Sequence, residues 1–206
     1  MTPQEQLENY TFCQVLCERA MEHIKTDIND YLRELELGNE KPPIKPIETR
    51  IKSFESAREK CRSRKIKMTI DSMLTSLRDI AGIRITTLYI DDVYSIAEAL
   101  KIRFHSSIPD DGIRDRIVAP KDNGYRSFHI VVQKALFFKG RTYIVPVEIQ
   151  IRTIVMDVWA ALEHDLVYKK EGCSEEVKTK FRNMADYLNE VDTAANALHQ
   201  KAIVKP

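Results

Sequence analysis

The chain has 206 residues, of which 43% are hydrophobic, and its 32 basic residues nearly balance its 31 acidic residues, leaving a formal net charge of +1. This length and composition suit a single globular domain with a substantial core. The near-zero net charge argues against a dedicated binder of nucleic acid or of an anionic membrane, and no apolar run approaches the roughly 20 residues of a membrane span. We therefore expect a cytoplasmic protein, with no membrane contact, whose anion-binding site is local.

The first 48 residues predict a long helix followed by an extended strap. Thr2 and Glu5 form a capping box ahead of a helix that we expect to run from residue 3 to residue 37. Residues 39–48, NEKPPIKPIE, contain three prolines. Prolines interrupt helices, so this segment is expected to be extended.

The rest of the chain alternates helices with strands. Helical periodicity predicts helices at Ile51–Arg62, Ile70–Leu77, Val93–Phe104, Ile154–Lys169 and Glu175–Ala202. Runs of β-branched and aromatic residues predict strands at Gly82–Ile90, Arg114–Val118, Ser127–Phe138 and Thr142–Arg152. This order favours an α+β fold, a mixed β-sheet flanked by helices with long N- and C-terminal helices.

The four cysteines do not have the spacing of a zinc site. Cys13 and Cys17 lie one helical turn apart, and neither Cys61 nor Cys173 has a second cysteine two or three residues away. We expect free thiols that serve as small packing residues in a reducing compartment.

The segment RIKSFESAREK, Arg50 to Lys60, is a candidate anion site. On a helix beginning near Lys52, the side chains of Lys52, Ser56 and Lys60 would share one face and present two ammonium groups and a hydroxyl to one ligand. Residues 50–67 contain eight basic residues against two acidic ones. A solvated basic face, or a patch that contacts RNA, explains this segment equally well.

Two carboxylates are candidates for chemistry. Asp79, in RDIAGIR, directly precedes a buried strand and suits a hard cation such as Mg²⁺, although a turn or N-cap aspartate is the alternative. In VPVEIQIRT the strand period of two places Glu148, Gln150 and Arg152 on one face and three apolar residues on the other. That polar face is either a binding surface or a solvated face of the sheet.

The segment PKDNGYRSFH, Pro120 to His129, combines groups that suit a nucleotide. Lys121 and Asn123 can bond phosphate or ribose oxygens, Gly124 permits close backbone approach, and Tyr125 offers a ring for a base. His129 is expected on the same strand face as Tyr125. A structural tyrosine in a β-turn remains the alternative.

Four motifs together carry a resemblance to a known family. They are R-x-K-x-x-x-S-x-x-x-K at Arg50–Lys60, DIAGIR at Asp79–Arg84, PKxNGYRSxH at Pro120–His129, and EIQIRT at Glu148–Thr153 followed by WAxxEHxxxYK at Trp159–Lys169. In this order they resemble the synthetase domain of the RelA/SpoT family. The resemblance implies a nucleotidyltransferase-like synthetase domain without a hydrolase domain, with residues 1–46 as helix and strap, 47–170 as catalytic core and 171–206 as C-terminal helix.

The resemblance also implies an activity and a role for each candidate residue. A stand-alone small alarmone synthetase transfers the β,γ-pyrophosphate of ATP to the 3′-hydroxyl of GTP or GDP, with Mg²⁺ as cofactor, and is typically a homotetramer. Arg50 and Arg84 would enclose the adenine of ATP. The remaining assignments are Lys52, Ser56 and Lys60 on the ATP phosphates, Asp79 and Glu148 on Mg²⁺ with Glu148 near the 3′-hydroxyl, and Lys121, Asn123, Tyr125, His129, Gln150 and Arg152 on GTP or GDP.

Two alternatives stay open from the sequence. The first is an RNA-binding regulatory protein that uses the basic segment 50–67 and Tyr125. The second is a nucleotidyltransferase of related fold, which would usually need paired acids at neighbouring strand positions, and the sequence shows none.

Overall fold

A five-stranded mixed β-sheet organises the protein in the computed structural model, which describes residues 1–38, 44–168 and 174–203. The helices are α1 (Pro3–Leu37), α2 (Phe54–Ser63), α3 (Ile70–Ser76), α4 (Ile90–Arg103), α5 (Ile154–Glu163) and α6 (Glu175–Ile203). The strands are β1 (Glu48–Ile51), β2 (Ala81–Thr87), β3 (Ile113–Asp115), β4 (Phe128–Phe138) and β5 (Arg141–Thr153). The predicted α+β class is confirmed. Within the described ranges, no helix is both long and apolar enough to cross a membrane.

Strand β5 is the centre of the sheet. The strand order is β1-β2-β5-β4-β3, and only the β2–β5 pair is parallel. β4 and β5 form a hairpin whose turn, Lys139-Gly140, has positive φ at both residues, as a tight two-residue turn requires. β5 therefore has hydrogen-bonded neighbours on both sides over residues 147–151, which fixes its register there.

One face of the sheet is covered by α1, α3 and α4, which all contact β5. α1 begins with the predicted capping box, in which the Thr2 hydroxyl accepts from Glu5 N at 3.2 Å. Its buried stripe faces the sheet with helical spacing and comprises Cys13, Leu16, Cys17, Ala20, Ile24 and Ile28. The helical cover leaves the opposite face of β5 available for polar side chains.

The described cysteines are free and buried, as predicted. Cys13, Cys17 and Cys61 form no disulfide. Burial raises the pKa of Cys13 and of Cys17 to about 12, so both stay as unreactive thiols at neutral pH. Cys173 lies outside the described residues.

The prediction of a helix beginning at Ile51 was wrong by three residues. β1 ends at Ile51, and α2 begins at Phe54 because the Ser53 hydroxyl accepts a hydrogen bond from Ser56 N and caps the helix. β1 itself was not predicted. It pairs antiparallel with β2, which comes some thirty residues later in the chain, so its pairing has no local signal.

Other boundaries also differ from the predictions. The strand predicted to reach Ile90 ends at Thr87, and α4 begins at Ile90. The strand predicted for 114–118 stops at Asp115. The Asp115 carboxylate accepts hydrogen bonds from the backbone amides of Ile117 and Val118, and these bonds stabilise a turn that ends the strand. α5 ends at Glu163 and continues as a π-helix over His164–Tyr168, whereas Lys169 lies outside the described residues.

Gly124 and Gly140, which both have positive φ, offer a matched test of packing around α6. A Cβ on Gly124 (φ 92°) would lie 2.4 Å from Ala185 Cβ, whereas a Cβ on Gly140 (φ 79°) would meet no atom within 4 Å. Gly140→Ala should cost about 1–2 kcal/mol of unfolding free energy from its backbone alone. Gly124→Ala should cost about 1–3 kcal/mol more, because α6 must move. Denaturant unfolding measures both losses, and equal losses would show that Gly124 does not contact α6.

Candidate active site

The polar face of β5 forms the floor of the candidate site. Val147, Ile149 and Ile151 are fully buried in the core, and the alternating residues Glu148, Gln150 and Arg152 point to the other face. This confirms the alternation predicted for VPVEIQIRT. Glu148 and Gln150 keep partial exposure, whereas Arg152 is only 3% exposed.

Strand register brings residues from five separate segments into two adjacent rows on this face. One row crosses all five strands and comprises Glu48, Arg84, Gln150, His129 and Arg114. In the next row, Arg50 lies opposite Gly82, which in turn lies opposite Glu148. Gly82 has no side chain, so open space separates Arg50 from Glu148.

Glu148 lies in a chain of hydrogen bonds. Its Oε1 is 3.1 Å from His129 Nδ1, its Oε2 accepts from Gln150 Nε2 at 2.8 Å, and His129 Nε2 is 3.2 Å from the Tyr125 hydroxyl. A carboxylate only accepts, so His129 Nδ1 carries the proton. The contact between His129 Nε2 and the Tyr125 hydroxyl orients both rings.

These contacts determine the protonation states of Glu148 and Tyr125. Burial acts to raise the pKa of Glu148, but the hydrogen bond and attraction of His129 and the bond from Gln150 outweigh it, so the pKa is lowered from 4.5. Burial raises the pKa of Tyr125 above 10.0. At neutral pH the site therefore holds an ionised Glu148 and a neutral Tyr125.

Asp79 binds two lysines. Lys60 Nζ lies 2.6 Å and Lys52 Nζ 3.2 Å from its Oδ2. Burial acts to raise the pKa of Asp79, but the hydrogen bonds and charges of Lys60 and Lys52 outweigh it, so the pKa is lowered from 3.8. Its Oδ1 is buried without a hydrogen-bond partner among the described residues.

Asp157 joins two arginines at the far end of the floor. Its Oδ1 is 2.6 Å from Arg152 Nη2 and 3.6 Å from Arg84 Nη1, and the latter also bonds Glu48 Oε2 at 3.0 Å. Asp157 lies in the first turn of α5, which begins where β5 ends. The strand and the helix that follows it thus hold each other through a buried ion pair.

Two clefts adjoin over this floor. The wide cleft has a volume of about 740 Å³ and includes Lys121, Tyr125, His129 and Arg152. The narrow cleft has a volume of about 470 Å³ and includes Lys52 and Gly82. The residues that line both clefts are Arg50, Asp79, Arg84, Glu148 and Gln150.

The structure brings most of the predicted residues together, but not Ser56 or Asn123. Lys52 precedes α2 instead of lying on it, and it still meets Lys60 at Asp79. Ser56 bonds Ser53 in the first turn of α2 and lines neither cleft. Asn123 lines neither cleft. Its Oδ1 accepts from Tyr125 N within the loop, and its Nδ2 donates to Glu163 at the end of α5.

Sequence analysis assigned no role to several charged residues of the wide cleft, among them Arg114, Arg116 and Asp157. Arg114 pairs with His129 across β3 and β4, and Arg116 N donates to the Ser127 carbonyl. A signal existed for the arginines, because they alternate within the predicted strand 114–118. The position of Asp157 depends on the turn from β5 into α5, which strand alternation does not reveal.

The donor set fits a hard divalent cation bound together with a substrate. Among the described residues there is no group of three or more His, Cys, Asp or Glu side chains able to hold a metal ion. The free Oδ1 of Asp79 is a suitable oxygen ligand, and Glu148 lines the same clefts. Mg²⁺ is commonly held by one or two carboxylates and completed by phosphate oxygens.

Residues 49–173 match the model of a protein family described as "Region found in RelA / SpoT proteins". The chain belongs to the RelA/SpoT family. The matched range includes β1 to α5 and every predicted site residue. The resemblance seen in the four motifs is thereby confirmed, and α6 lies beyond the matched range.

Two named proteins and one crystal structure illustrate what this chain is similar to. GTP pyrophosphokinase YwaC of Bacillus subtilis (strain 168) is 34% identical over 184 residues, 89% of this chain and 84% of YwaC. GTP pyrophosphokinase YjbM of the same organism is 33% identical over 175 residues, 84% of this chain and 81% of YjbM. The crystal structure of small alarmone synthetase 1 from Bacillus subtilis bound to its product pppGpp has a TM-score of 0.83 at 29% identity, covering 96% of this chain and 100% of that one.

The lysine pair on Asp79 predicts a pH-dependent contribution to stability. The folded-state pKa of Asp79 is lowered, so its contribution is present above the unfolded pKa of about 4 and is lost as pH falls through the folded value. Asp79→Asn should lower the unfolding free energy at pH 7 by about 1–3 kcal/mol, because it leaves two largely buried ammonium groups unpaired. The difference from wild type should shrink below about pH 4.

The matched control is Asp71→Asn, which removes an exposed partner of Arg141. It should change stability by only a few tenths of a kcal/mol. Denaturant unfolding at a series of pH values measures both variants. A loss in Asp79→Asn that is the same at pH 3 and pH 7 would contradict the lysine pairing.

Proposed function

We propose that this protein is a GTP pyrophosphokinase, which transfers the β,γ-pyrophosphate of ATP to the 3′-hydroxyl of GTP or GDP and releases AMP and (p)ppGpp. The family membership and the names of YwaC and YjbM support the reaction class. The observation that carries the proposal is the pair of adjoining clefts, which share Asp79 and Glu148. Two nucleotides bound in the two clefts would meet at those carboxylates.

The narrow cleft suits ATP. Arg50 and Arg84 are diagonal neighbours on β1 and β2, with Gly82 opposite Arg50. Diagonal side chains on neighbouring strands lie roughly 7–8 Å apart, about twice the ~3.5 Å of an atomic contact. An adenine ring therefore fits between the two guanidinium planes. Lys52 of this cleft supplies an ammonium group for the phosphates, and Lys60, which lines the wide cleft, supplies a second one beside Asp79.

The wide cleft suits the guanosine nucleotide. Tyr125 presents its ring there, and Lys121 Nζ lies 5.0 Å from the ring centroid. A guanine stacked on Tyr125 would place its ribose towards His129 and Glu148, and its 5′-phosphates would extend towards Arg114 and Arg116 of the cleft wall. Arg152 is held by Asp157 and contributes a fixed positive charge.

Glu148 acts as the general base. Its lowered pKa keeps it ionised at neutral pH, so it can accept the proton that the 3′-hydroxyl loses as oxygen attacks the β-phosphorus. The bond between the α,β-bridging oxygen and the β-phosphorus breaks, and AMP leaves with that oxygen. Asp79 and Glu148 would hold Mg²⁺, which would neutralise phosphate charge when bound.

Some expectations about this protein stay predictions. The RelA/SpoT resemblance predicts a homotetramer, and the sequence predicts a cytoplasmic location. The RNA-binding alternative gains no support from the relatives, and two basic residues of segment 50–67, Lys52 and Lys60, bind Asp79 beside the clefts.

The reaction predicts a specific effect of Glu148→Gln. The amide cannot accept the proton, so kcat should fall about 10²–10⁴-fold, with a small change in the KM for ATP. Glu98→Gln is the matched control, because Glu98 is exposed on α4 and pairs with Lys101. Chromatographic measurement of AMP release with ATP, GTP and Mg²⁺ gives both rates. A Glu148→Gln variant as active as the control would overturn the proposal.

The ring of Tyr125 predicts an effect on one substrate only. Tyr125→Ala should raise the KM for GTP by roughly 5- to 150-fold, since a stacked base contributes about 1–3 kcal/mol. Tyr125→Phe keeps the ring and loses only the hydroxyl that bonds His129, so its KM should stay within about threefold of wild type. Steady-state kinetics with each substrate varied separately test this, and an equal rise for ATP and GTP would remove Tyr125 from the acceptor site.

A further inference from the structure

The C-terminal helix α6 packs directly behind the loop of residues 120–127, here named the acceptor loop. The missing Cβ of Gly124 leaves the space that Ala185 of α6 fills, and the Arg182 carbonyl lies 3.7 Å from the same point. None of the residues that line the wide cleft belongs to the described part of α6. The helix therefore contacts the back of the loop without reaching the cleft.

A tryptophan connects α6 to the ring of Tyr125. Trp159 Nε1 donates to the Phe181 carbonyl of α6 at 3.1 Å, which fixes the orientation of the indole. The indole then packs against Tyr125, with ring centroids 6.4 Å apart and planes at 57°. A shift of α6 would be passed to the ring that faces the wide cleft.

Arg126 makes a second connection, away from the cleft. Its Nη1 donates to the Ile117 carbonyl at 2.9 Å, and its Nη2 lies 3.6 Å from Asp186 of α6. Its Nε is buried and has no hydrogen-bond partner among the described residues. Burying a guanidinium nitrogen without a partner is costly, so this donor requires an acceptor.

Asp192 of α6 presents the matching acceptor. It is 1% exposed, and its Oδ2 accepts from the Thr153 hydroxyl at 2.6 Å, at the end of β5. Its Oδ1 is buried and is likewise without a partner within the described ranges. Asp192 and Arg126 line one small cavity between the acceptor loop, α5 and α6.

The size of this cavity suits a water molecule. Its volume is about 20 Å³, which leaves room for a water molecule, since a water needs a cavity of roughly 10–15 Å³. A water can accept from Arg126 Nε and donate to Asp192 Oδ1, and the side chain of Asn189, which also lines the cavity, offers a third partner.

We propose that α6 is a positioning element for the acceptor loop, and that one buried water joins Arg126 of the loop to Asp192 of the helix. Asp192 and Arg126 are positioning residues and touch no substrate. The chain of bonds runs from Arg126 through the water and Asp192 to Thr153, next to Arg152 in the wide cleft. This inference rests on the proposed function where it concerns the acceptor, and it assigns a role in substrate affinity to a helix outside the matched family region.

The kinetic test uses the full chain and matched variants on α6. Asp192→Leu and Arg126→Met remove either end of the bridge and should raise the KM for GDP about tenfold, the equivalent of one lost hydrogen bond. The KM for ATP should change less than about twofold. Glu190→Leu is the control, because Glu190 is exposed on the same helix, and it should match wild type. Equal increases for GDP and ATP, or unchanged values for both, would overturn the positioning role.

Two further measurements keep the test independent of folding and of the proposed reaction. If Asp192→Leu does not fold, Asp192→Asn keeps the shape and the bond to Thr153, and it should raise the KM for GDP by a smaller factor than Arg126→Met. A high-resolution crystal structure of the wild type should show one water within hydrogen-bonding distance of Arg126 Nε and Asp192 Oδ1. A dry cavity, or direct contact between the two side chains, would overturn the bridge.

Failure of the proposed reaction would give a different result from failure of this inference. If the wild-type protein did not transfer pyrophosphate, the water could still be seen in the crystal structure, and the binding of GDP could still be measured by calorimetry. Weaker GDP binding in Arg126→Met and Asp192→Leu would then still support the positioning role. Unchanged GDP binding in both variants would refute it.

Discussion

The register of β5 is the constraint on which the site depends. β5 is paired on both sides, parallel to β2 and antiparallel to β4, and its alternate residues belong either to the core or to the cleft floor. A slip of one residue would exchange Ile149 with Glu148 or Gln150 and bury a carboxylate or an amide under α1 and α4. The same apolar residues that stabilise the core therefore fix the direction of the polar ones. The packing of the core thus also positions the candidate catalytic side chains.

Two carboxylates of the site are each paired with two basic side chains. Asp79 is matched by Lys52 and Lys60, and Asp157 by Arg152 and Arg84. Under the proposed function, incoming phosphates would compete with Asp79 for the two lysines. That exchange would free carboxylate oxygens for Mg²⁺ at the same moment, so binding of ATP and of the cation would be mutually favourable.

Local sequence patterns were sufficient to predict those features of the fold that depend on neighbouring residues. The alternation of Val147 to Arg152 assigned the two faces of β5, and the capping residues Thr2 and Glu5 placed the start of α1. Such patterns failed where a contact is non-local or where a polar side chain bonds its own loop. β1 depends on β2, and Ser56 and Asn123, assigned to ligands, bond neighbouring groups instead, a common alternative for short polar side chains. The packing of α6 behind the acceptor loop has no motif at all, because it is encoded by Gly124, Ala185 and Asp192 in separate parts of the chain.

The destination of the β-phosphorus of ATP tests the central claim most directly. The wild-type protein is incubated with Mg²⁺, GTP and ATP that carries a radioactive β-phosphorus, and the nucleotides are separated. The account predicts unlabelled AMP and a guanosine nucleotide that carries the label at its 3′ position, in equal amounts. Label recovered in ADP, with phosphate transferred or released from the γ position, would contradict it.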